Sequence, residues 1–265
     1  MTVSSQNPIL HRGDFLREWQ SIEDSSIDLV ICDPPYGELR RVHEWDQKPD
    51  FSVVSWILSQ LLVPTGQIAI FSSSKMLTEV ELAFSTYFER RFIQVWHKPS
   101  AQVLHKDRPK PDVEFVSVFH RKGCKKALRV FNWEDIAEQG EPYSRENKNL
   151  QQTSLHTEKR AIDVNVTGLR HPSSIVYHPN RPAMSSAEKA NAKHPTQKSL
   201  RHIMNLIRLL SNEGDTVLDP FMGSGTAILA AILTGRRAFG WDILEDFVAM
   251  TKERIEKKTA QGILV

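Results

Sequence analysis

The chain has 265 residues, 40% of them hydrophobic and 25% charged, and its formal net charge is +2. This composition suits a globular protein with one main core and room for an inserted lobe. It excludes a membrane-spanning protein, because the longest apolar run, residues 227–233, is far too short to cross a bilayer. It also excludes a disulfide scaffold, because the two cysteines form no framework pattern. No secretory signal is visible, so we expect a cytoplasmic protein.

The first hundred residues alternate between strand and helix patterns. Strands are predicted at residues 9–11, 27–32, 67–71, 92–96 and 113–119. A helix is predicted from Ser52 to Val63, ending at Pro64-Thr65-Gly66, and another from Ser74 to about Phe88. This alternation predicts a mostly parallel sheet covered by helices on both faces.

The pattern is lost between Cys124 and Lys193, where the sequence is polar, and returns at His194. We therefore predict an inserted lobe with little regular structure. After it come a helix on the apolar face of Leu200 to Leu210, with Gly214 as its predicted C-cap, and a strand at 216–218. A buried helix at 227–233, a strand at 237–241 and a last helix at 244–258 complete the prediction.

The charge is unevenly distributed along the chain. From Lys98 to Arg201 there are 19 Lys and Arg against 11 Asp and Glu, whereas the remainder is acidic. A basic middle on an acidic frame is typical of an insert that binds a polyanion. A solvated, variable surface lobe gives the same pattern, so charge alone leaves both interpretations open.

A glycine-rich segment follows the predicted strand at 216–218 and reads Asp219-Pro220-Phe221-Met222-Gly223-Ser224-Gly225-Thr226. In open α/β sheets ligands bind at the carboxyl ends of strands, and the glycines allow the backbone to approach a ligand closely. Neither a triphosphate loop nor the dinucleotide spacing is present, since Ile228 stands where a third glycine is expected. Asp242, at the end of the next strand, suits the two ribose hydroxyls of a nucleoside-like cofactor.

The motif Asp33-Pro34-Pro35-Tyr36 closes the apolar strand at 27–32. Its prolines make a stiff turn, offer carbonyl acceptors and have no backbone N–H to donate. Asp33 and the Pro34 carbonyl can accept both N–H groups of an exocyclic amine, and Tyr36 offers a flat face for an extruded base. The alternative is a plain surface turn after a core strand.

These two motifs together resemble the amino-methyltransferases of DNA, and their order around the basic insert resembles the β-class permutation of that family. Arg12-Gly13-Asp14, His194-Pro195-Thr196-Gln197-Lys198 and Gly240-Trp241-Asp242 match further segments of the family. The resemblance implies an α/β fold, a permuted Rossmann-like seven-stranded methyltransferase sheet with an inserted, irregular target recognition region. It divides the catalytic domain into residues 1–98 and 194–265, around the last strands and the insert at 99–193.

The resemblance also implies S-adenosyl-L-methionine as the cofactor and assigns residues to each role. Catalytic roles fall to Asp33, Pro34, Pro35 and Tyr36. Cofactor-binding roles fall to Asp14, Asp33, Thr196, Lys198, Asp219, Pro220, Phe221, Gly223, Ser224, Gly225, Thr226 and Asp242. No metal is expected, because the ten histidines show no ligand spacing and methyl transfer needs none.

The implied activity is site-specific methylation of adenine N6 in double-stranded DNA, by base flipping and direct methyl transfer. The alternatives are cytosine-N4 methylation, an RNA adenine substrate, or a non-catalytic binding subunit with the cofactor fold. Asp33 favours adenine, because the family tends to place Ser there for cytosine. A homodimer and a restriction endonuclease are the protein partners that the resemblance allows.

Overall fold

The computed structural model describes residues 7–38, 43–99, 106–107, 109–146, 162–178 and 196–260. The chain forms two compact units, a large one of residues 1–131 and 174–265 and a small one of residues 132–173. The predicted domain boundaries at 98 and 193 stay predictions. No helix in the described ranges is long and apolar enough to cross a membrane.

The first half of the large unit alternates strands and helices, as the sequence predicts. The elements are β1 (Ile9–Arg12), α1 (Phe15–Glu18), β2 (Ile27–Cys32), α2 (Phe51–Leu61), β3 (Leu62–Ser72), α3 (Leu77–Phe84), β4 (Phe88–His97) and β5 (Val113–Arg121). β2 is buried almost throughout, which suits a strand with both faces covered. α2 begins where the side chain of Asp50 accepts the backbone N–H of Ser52 at 2.9 Å.

The small unit carries short antiparallel pairs and little other regular structure in its described residues. β6 (Glu138–Gln139) pairs with β9 (Leu169–Arg170), and β7 (Tyr143–Glu146) pairs with β8 (Ile162–Asn165). A 3₁₀ turn at Trp133–Ile136 precedes them, and the ring of Trp133 stacks on that of His171 at 3.8 Å. The expectation of a largely irregular insert holds for this part.

The large unit resumes with β10 (Ile175–Val176), α4 (Leu200–Leu210), β11 (Thr216–Asp219), α5 (Thr226–Leu233), β12 (Arg237–Asp242) and α6 (Glu245–Ala260). In the described residues its strands form one sheet in the order β1-β12-β11-β2-β3-β5-β4-β10. β1, β12, β11, β2 and β3 run parallel, and β5 is antiparallel to both β3 and β4. The first seven strands are the predicted sheet, and the two-residue β10 adds an edge.

The direction of winding reverses between β11 and β2. From β11 the chain passes through α5 to β12 on one side, whereas from β2 it passes through α2 to β3 on the other. Such a reversal opens a crevice at the carboxyl ends of the two strands, which is where open α/β sheets bind ligands. The glycine-rich segment and the Asp-Pro-Pro-Tyr motif both lie at this edge.

The predicted ends of α2 and α4 are wrong. Pro64-Thr65-Gly66 does not end α2, because α2 stops at Leu61 and β3 runs on through Pro64. The register between β2 and β3 shifts from Ile27↔Leu62 to Leu29↔Gln67, and this bulge tolerates a proline that cannot donate to the ladder. Gly214 is not the C-cap of α4 either, since Ser211 takes that place and Gly214 lies in the turn beyond.

The helix predicted from Ser74 to Phe88 is shorter, spanning Leu77–Phe84. Phe88 is instead the first residue of β4, where it is buried against the ring of Phe84. The helix therefore ends earlier than its apolar spacing suggests, because Phe88 is buried in the core as part of β4.

Candidate active site

A cavity of about 570 Å³ opens at the carboxyl edge of the parallel strands. Residues at or just after the ends of β1, β2, β11 and β12 line it, with carboxylates contributed by Asp14, Asp33, Asp219 and Asp242. Its volume lies in the range of sites that enclose a small molecule. Four strand ends meeting around one space explain why the predicted motifs, far apart in sequence, lie together.

The glycine-rich segment is held against the end of β12. The backbone N–H of Gly223 donates to Asp242 Oδ2 at 2.9 Å, and the N–H of Met222 donates to the Trp241 carbonyl at 2.9 Å. Gly223 has a φ of +48°, a conformation that a side chain disfavours. These bonds fix a turn that presents backbone and small side chains to the cavity.

Two aspartates flank this turn. Asp242 accepts Gly223 N–H on one oxygen and Leu244 N–H, at 2.9 Å, on the other, which leaves each oxygen a lone pair for a ligand hydroxyl. Asp219 is buried and accepts Phe221 N–H at 3.1 Å. Burial raises the pKa of both carboxyls above the usual aspartate range, and the neighbouring charges of Asp33 and Asp242 raise that of Asp219 further.

The Asp-Pro-Pro-Tyr motif supplies the other wall. The Tyr36 hydroxyl donates to Asp33 Oδ1 at 3.3 Å, and the Lys198 ammonium lies 2.9 Å from the same oxygen. Burial raises the pKa of Asp33, and the adjacent ammonium of Lys198 opposes that rise. The motif is thus a held carboxylate beside an aromatic ring, and not a free surface turn.

A second carboxylate, Glu114, reaches the same ammonium and was not predicted from the sequence. Glu114 Oε2 lies 3.1 Å from Lys198 Nζ, and its Oε1 lies 2.7 Å from Lys98 Nζ. Burial opposes ionisation, but Lys198 and Lys98 together hold the pKa of Glu114 below its usual range. Because β5 is antiparallel, its first residues lie at the edge where the parallel strands end. A lone carboxylate at the start of an apolar strand was the available signal.

Nearly all the predicted site residues line the cavity. They are Asp14, Asp33, Pro34, Pro35, Tyr36, Thr196, Lys198, Asp219, Pro220, Phe221, Gly223, Ser224, Thr226 and Asp242. Their catalytic and cofactor roles stay predictions. His194 and Pro195, from the same segment as Thr196, lie outside the described residues.

Gly225 is the exception, since it does not line the cavity. It is the N-cap of α5 with a φ of +70°, and an added Cβ would lie 2.3 Å from Thr251 Oγ1 on α6. The glycine is needed there for backbone conformation and for helix packing. The predicted cofactor-binding role of Gly225 stays a prediction.

Aromatic residues outside the predicted set also line the cavity. Trp45 lies on the segment between β2 and α2, and its ring meets that of Phe247 on α6 edge-on at 5.7 Å. Phe15 and Leu16 of α1 contribute further apolar surface. The sequence offers little signal for Trp45, a single aromatic residue in a polar stretch.

The sequence of this chain matches one known protein family over most of its length. The model of a family described as DNA methylase matches residues 27–253, which is most of the chain. The chain belongs to the DNA methylase family. It is a DNA methyltransferase, with the α/β sheet that the sequence predicts.

Known proteins similar to this methylase cover nearly its whole length. It is 26% identical to the DNA adenine methyltransferase YhdJ of Escherichia coli (strain K12), over 94% of this chain and 82% of YhdJ. Its fold matches the cytosine-N4-specific PvuII DNA methyltransferase with a TM-score of 0.66 at 20% identity, covering 98% of this chain and 93% of that one. It also matches an M1.HpyAVI–SAM complex with a TM-score of 0.59 at 22% identity, covering 94% and 100%.

Proposed function

We propose that this methylase transfers a methyl group from S-adenosyl-L-methionine to the exocyclic N6 of adenine in double-stranded DNA. The observation that carries the proposal is the Asp33 carboxylate, held at the cavity wall by the Tyr36 hydroxyl and the Lys198 ammonium. It lies in the same cavity as the glycine-rich turn and Asp242. The cavity therefore combines Asp33, a hydrogen-bond acceptor for an amine, with a turn and a carboxylate suited to a nucleoside.

The residues present fit S-adenosyl-L-methionine. Asp242 keeps lone pairs for two ribose hydroxyls, and Phe15, Phe221 and Phe247 give apolar surface for a purine. The turn at 219–226 offers backbone to the remainder of the cofactor. When bound, the cofactor would supply an activated methyl group. The bond between sulfur and the methyl carbon would break as the amine nitrogen bonds that carbon, which leaves S-adenosyl-L-homocysteine and releases one amine proton. The similar M1.HpyAVI structure is a complex with SAM, which supports this assignment.

The protein contributes positioning and exclusion of water. A flipped base stacks on Tyr36, while Asp33 and the Pro34 carbonyl accept the two N–H groups of its amine. This orientation directs the nitrogen lone pair away from the acceptors. Holding two reactants in such a geometry supplies much of the rate enhancement that methyl transfer needs, without a covalent enzyme intermediate.

Adenine is favoured over cytosine by Asp33, since the family tends to use Ser at this position for cytosine. The name of YhdJ, an adenine enzyme, agrees with this choice. The likeness to the cytosine-N4-specific PvuII enzyme supports the fold and not the base. A homodimer and a restriction endonuclease partner are further proposals, as is a site-specific target within duplex DNA.

The direct test is transfer of labelled methyl groups to defined duplex DNA, followed by digestion and chromatography of the nucleosides. We expect label in N6-methyladenine, and none in N4-methylcytosine or in RNA of the same sequence. Asp33→Ala should lower the transfer rate by about 10²- to 10³-fold, as expected when a preorganised charged group is removed. Asp24→Ala, an exposed aspartate before β2, is the matched control and should keep the parent rate. Label in cytosine would overturn the proposal.

A further inference from the structure

We infer that Glu114 is a positioning residue for the proposed methyl transfer, because it fixes the Lys198 ammonium that holds the Asp33 carboxylate in place. The inference rests on the proposed function. It assigns a task to a carboxylate that neither the Asp-Pro-Pro-Tyr motif nor the glycine-rich turn includes.

The four charged groups alternate in sign. Lys198 Nζ bridges Asp33 Oδ1 at 2.9 Å and Glu114 Oε2 at 3.1 Å, and Lys98 Nζ lies 2.7 Å from Glu114 Oε1. Four separate segments contribute, namely the end of β2, the start of β5, the residue after β4 and the segment before α4. These four charged groups thus connect the Asp-Pro-Pro-Tyr motif to the antiparallel part of the sheet.

Burial makes these contacts strong. The Lys198 and Glu114 side chains are 8% and 11% exposed, and that of Asp33 is 26% exposed. With so little water to screen them, each charge depends on its neighbours, and removing one leaves an uncompensated buried charge. Glu114 therefore cannot be lost without changing the state of Lys198.

Aromatic rings restrict the position of the ammonium further. Lys198 Nζ lies 5.3 Å from the centroid of Phe71, 5.4 Å from that of Tyr36 and 5.9 Å from that of Trp96. Rings at this distance attract a cation. Because Tyr36 is also the proposed stacking surface, the ammonium, the ring and Asp33 form one packed group.

Glu114 acts on Asp33 in two opposite ways. Its charge raises the pKa of Asp33, as burial does, whereas the ammonium that it fixes lowers that pKa. The other titratable groups that face Asp33 are the Tyr36 hydroxyl, the Asp219 carboxyl and the Cys32 thiol. Lys198 is the cation among these groups, whereas Glu114 carries the same charge as Asp33. Lys198→Met and Glu114→Gln should therefore shift the pKa of Asp33 in opposite directions.

The test is the pH dependence of single-turnover methyl transfer at saturating cofactor. Lys198→Met removes the cation and should raise the pKa of Asp33. The acid limb of the profile, where the rate falls toward low pH, should therefore move to higher pH by about 1–3 units, the size of effect that an adjacent opposite charge has on an aspartate. Glu114→Gln removes a like charge but keeps an oxygen for Lys198, so its acid limb should move to lower pH. Glu114→Ala also loses that oxygen and should be about 10- to 100-fold slower, by analogy with partners that orient metal ligands.

Glu81→Gln is the matched control. Glu81 accepts the Ser117 hydroxyl of β5 at 2.7 Å and pairs with Arg90, and it does not line the cavity. This control should keep the parent profile. Calorimetric titration of each variant with S-adenosyl-L-methionine and a thermal melt accompany the kinetics, so that loss of binding or folding is seen separately.

The outcomes separate this inference from the proposed function. If the parent enzyme places no methyl on adenine, the proposed function fails. If the parent methylates adenine but Lys198→Met and Glu114→Gln only lower the rate, with the parent acid limb, the inference is overturned. A Lys198→Met protein that loses cofactor binding with an unshifted acid limb would make Lys198 a ligand residue, and would overturn it too.

Discussion

At the scale of single residues, two carboxylates of the cavity differ in what surrounds them. Asp33 has the Lys198 ammonium at 2.9 Å, whereas the charged neighbours that act on the buried Asp219 are the like-charged Asp33 and Asp242. An ionised Asp219 therefore costs folding free energy in the cofactor-free protein. A residue retained at such a cost is typical of a ligand site.

Asp219→Asn should raise the melting temperature of the cofactor-free protein at pH 8. Burial raises the pKa of Asp219 in the folded state, so its contribution to stability is present at low pH and lost as the pH rises through that value. Asparagine keeps an oxygen for Phe221 N–H and stays neutral throughout. The gain, measured by thermal melts from pH 4 to pH 8, should shrink toward the acid end. An equal gain at every pH would contradict this explanation.

Two substitutions of Tyr36 distinguish the contribution of its ring to base stacking from that of its hydroxyl. Tyr36→Phe loses one long hydrogen bond to Asp33, worth about 0.5–1.5 kcal/mol, so it should keep at least about a tenth of the parent rate. Tyr36→Ala also loses stacking worth ~1–3 kcal/mol and should be slower still. Methyl-transfer assays on adenine-containing duplexes report the rate, and a separate fluorescence assay with 2-aminopurine at the target position, which carries no N6 amine, reports flipping. Equal transfer rates for the Tyr36→Phe and Tyr36→Ala variants would contradict a stacking role for the Tyr36 ring.

The sequence predicts single residues well where a motif ends a strand. Asp33, Asp219 and Asp242 each follow an apolar run, and parallel strands bring such ends together. Glu114 could not be placed that way, because its position at the same edge depends on β5 being antiparallel. Periodicity within one strand does not reveal its direction in the sheet.

At the scale of elements, the glycine-rich turn shows two different reasons for glycine. Gly223 lines the cavity, whereas Gly225 starts α5 and packs on α6. Both have a positive φ. A motif that looks uniform in sequence therefore serves the cavity with one glycine and helix packing with the other.

Gly225→Ala should lower the melting temperature of the cofactor-free protein more than Gly214→Ala does. Both positions have a positive φ, which costs about 1–2 kcal/mol for alanine, but nothing lies within 4 Å of a Cβ at Gly214. At Gly225 the new Cβ meets the Thr251 side chain, so Thr251→Gly should restore part of the loss. If the two alanine variants melt alike, the packing explanation is wrong.

The sequence predicts elements with a clear apolar pattern closely, as β2 and α4 show. It does not predict boundaries that depend on tertiary contacts. Pro64 reads as a helix stop, but pairing with β2 draws the chain into a strand at Leu62, and burial of Phe88 shortens α3 in the same way. Local propensity is overridden where the core requires a residue elsewhere.

At the scale of the whole molecule, the sheet divides the basic residues between two edges. Lys106 and Lys110 precede β5 and lie toward the edge that carries the cavity, since β5 is antiparallel to its neighbours. Lys125 and Lys126 follow β5 and lie toward the opposite edge. The total charge of the insert is therefore less informative than the edge to which each lysine belongs.

Replacing Lys106 and Lys110 together with alanine should weaken DNA binding and flatten its salt dependence. Each phosphate contact adds about 0.9 to the slope of log affinity against log salt, so the slope should fall by up to about 1.8. The pair Lys125→Ala and Lys126→Ala is the matched control and should keep the parent slope. Fluorescence anisotropy over a salt series measures both. A slope that falls only for the control pair would place DNA at the other edge.

The central claim is that Asp33 in this cavity directs methylation to adenine N6 in DNA. Modified-base sequencing of plasmid from a strain that expresses the parent enzyme tests it most directly, beside the same strain expressing Asp33→Ala. We expect N6-methyladenine in one short sequence context with the parent enzyme, and almost none with the variant. N4-methylcytosine in the parent sample, or equal adenine methylation by a folded Asp33→Ala protein, would contradict the claim.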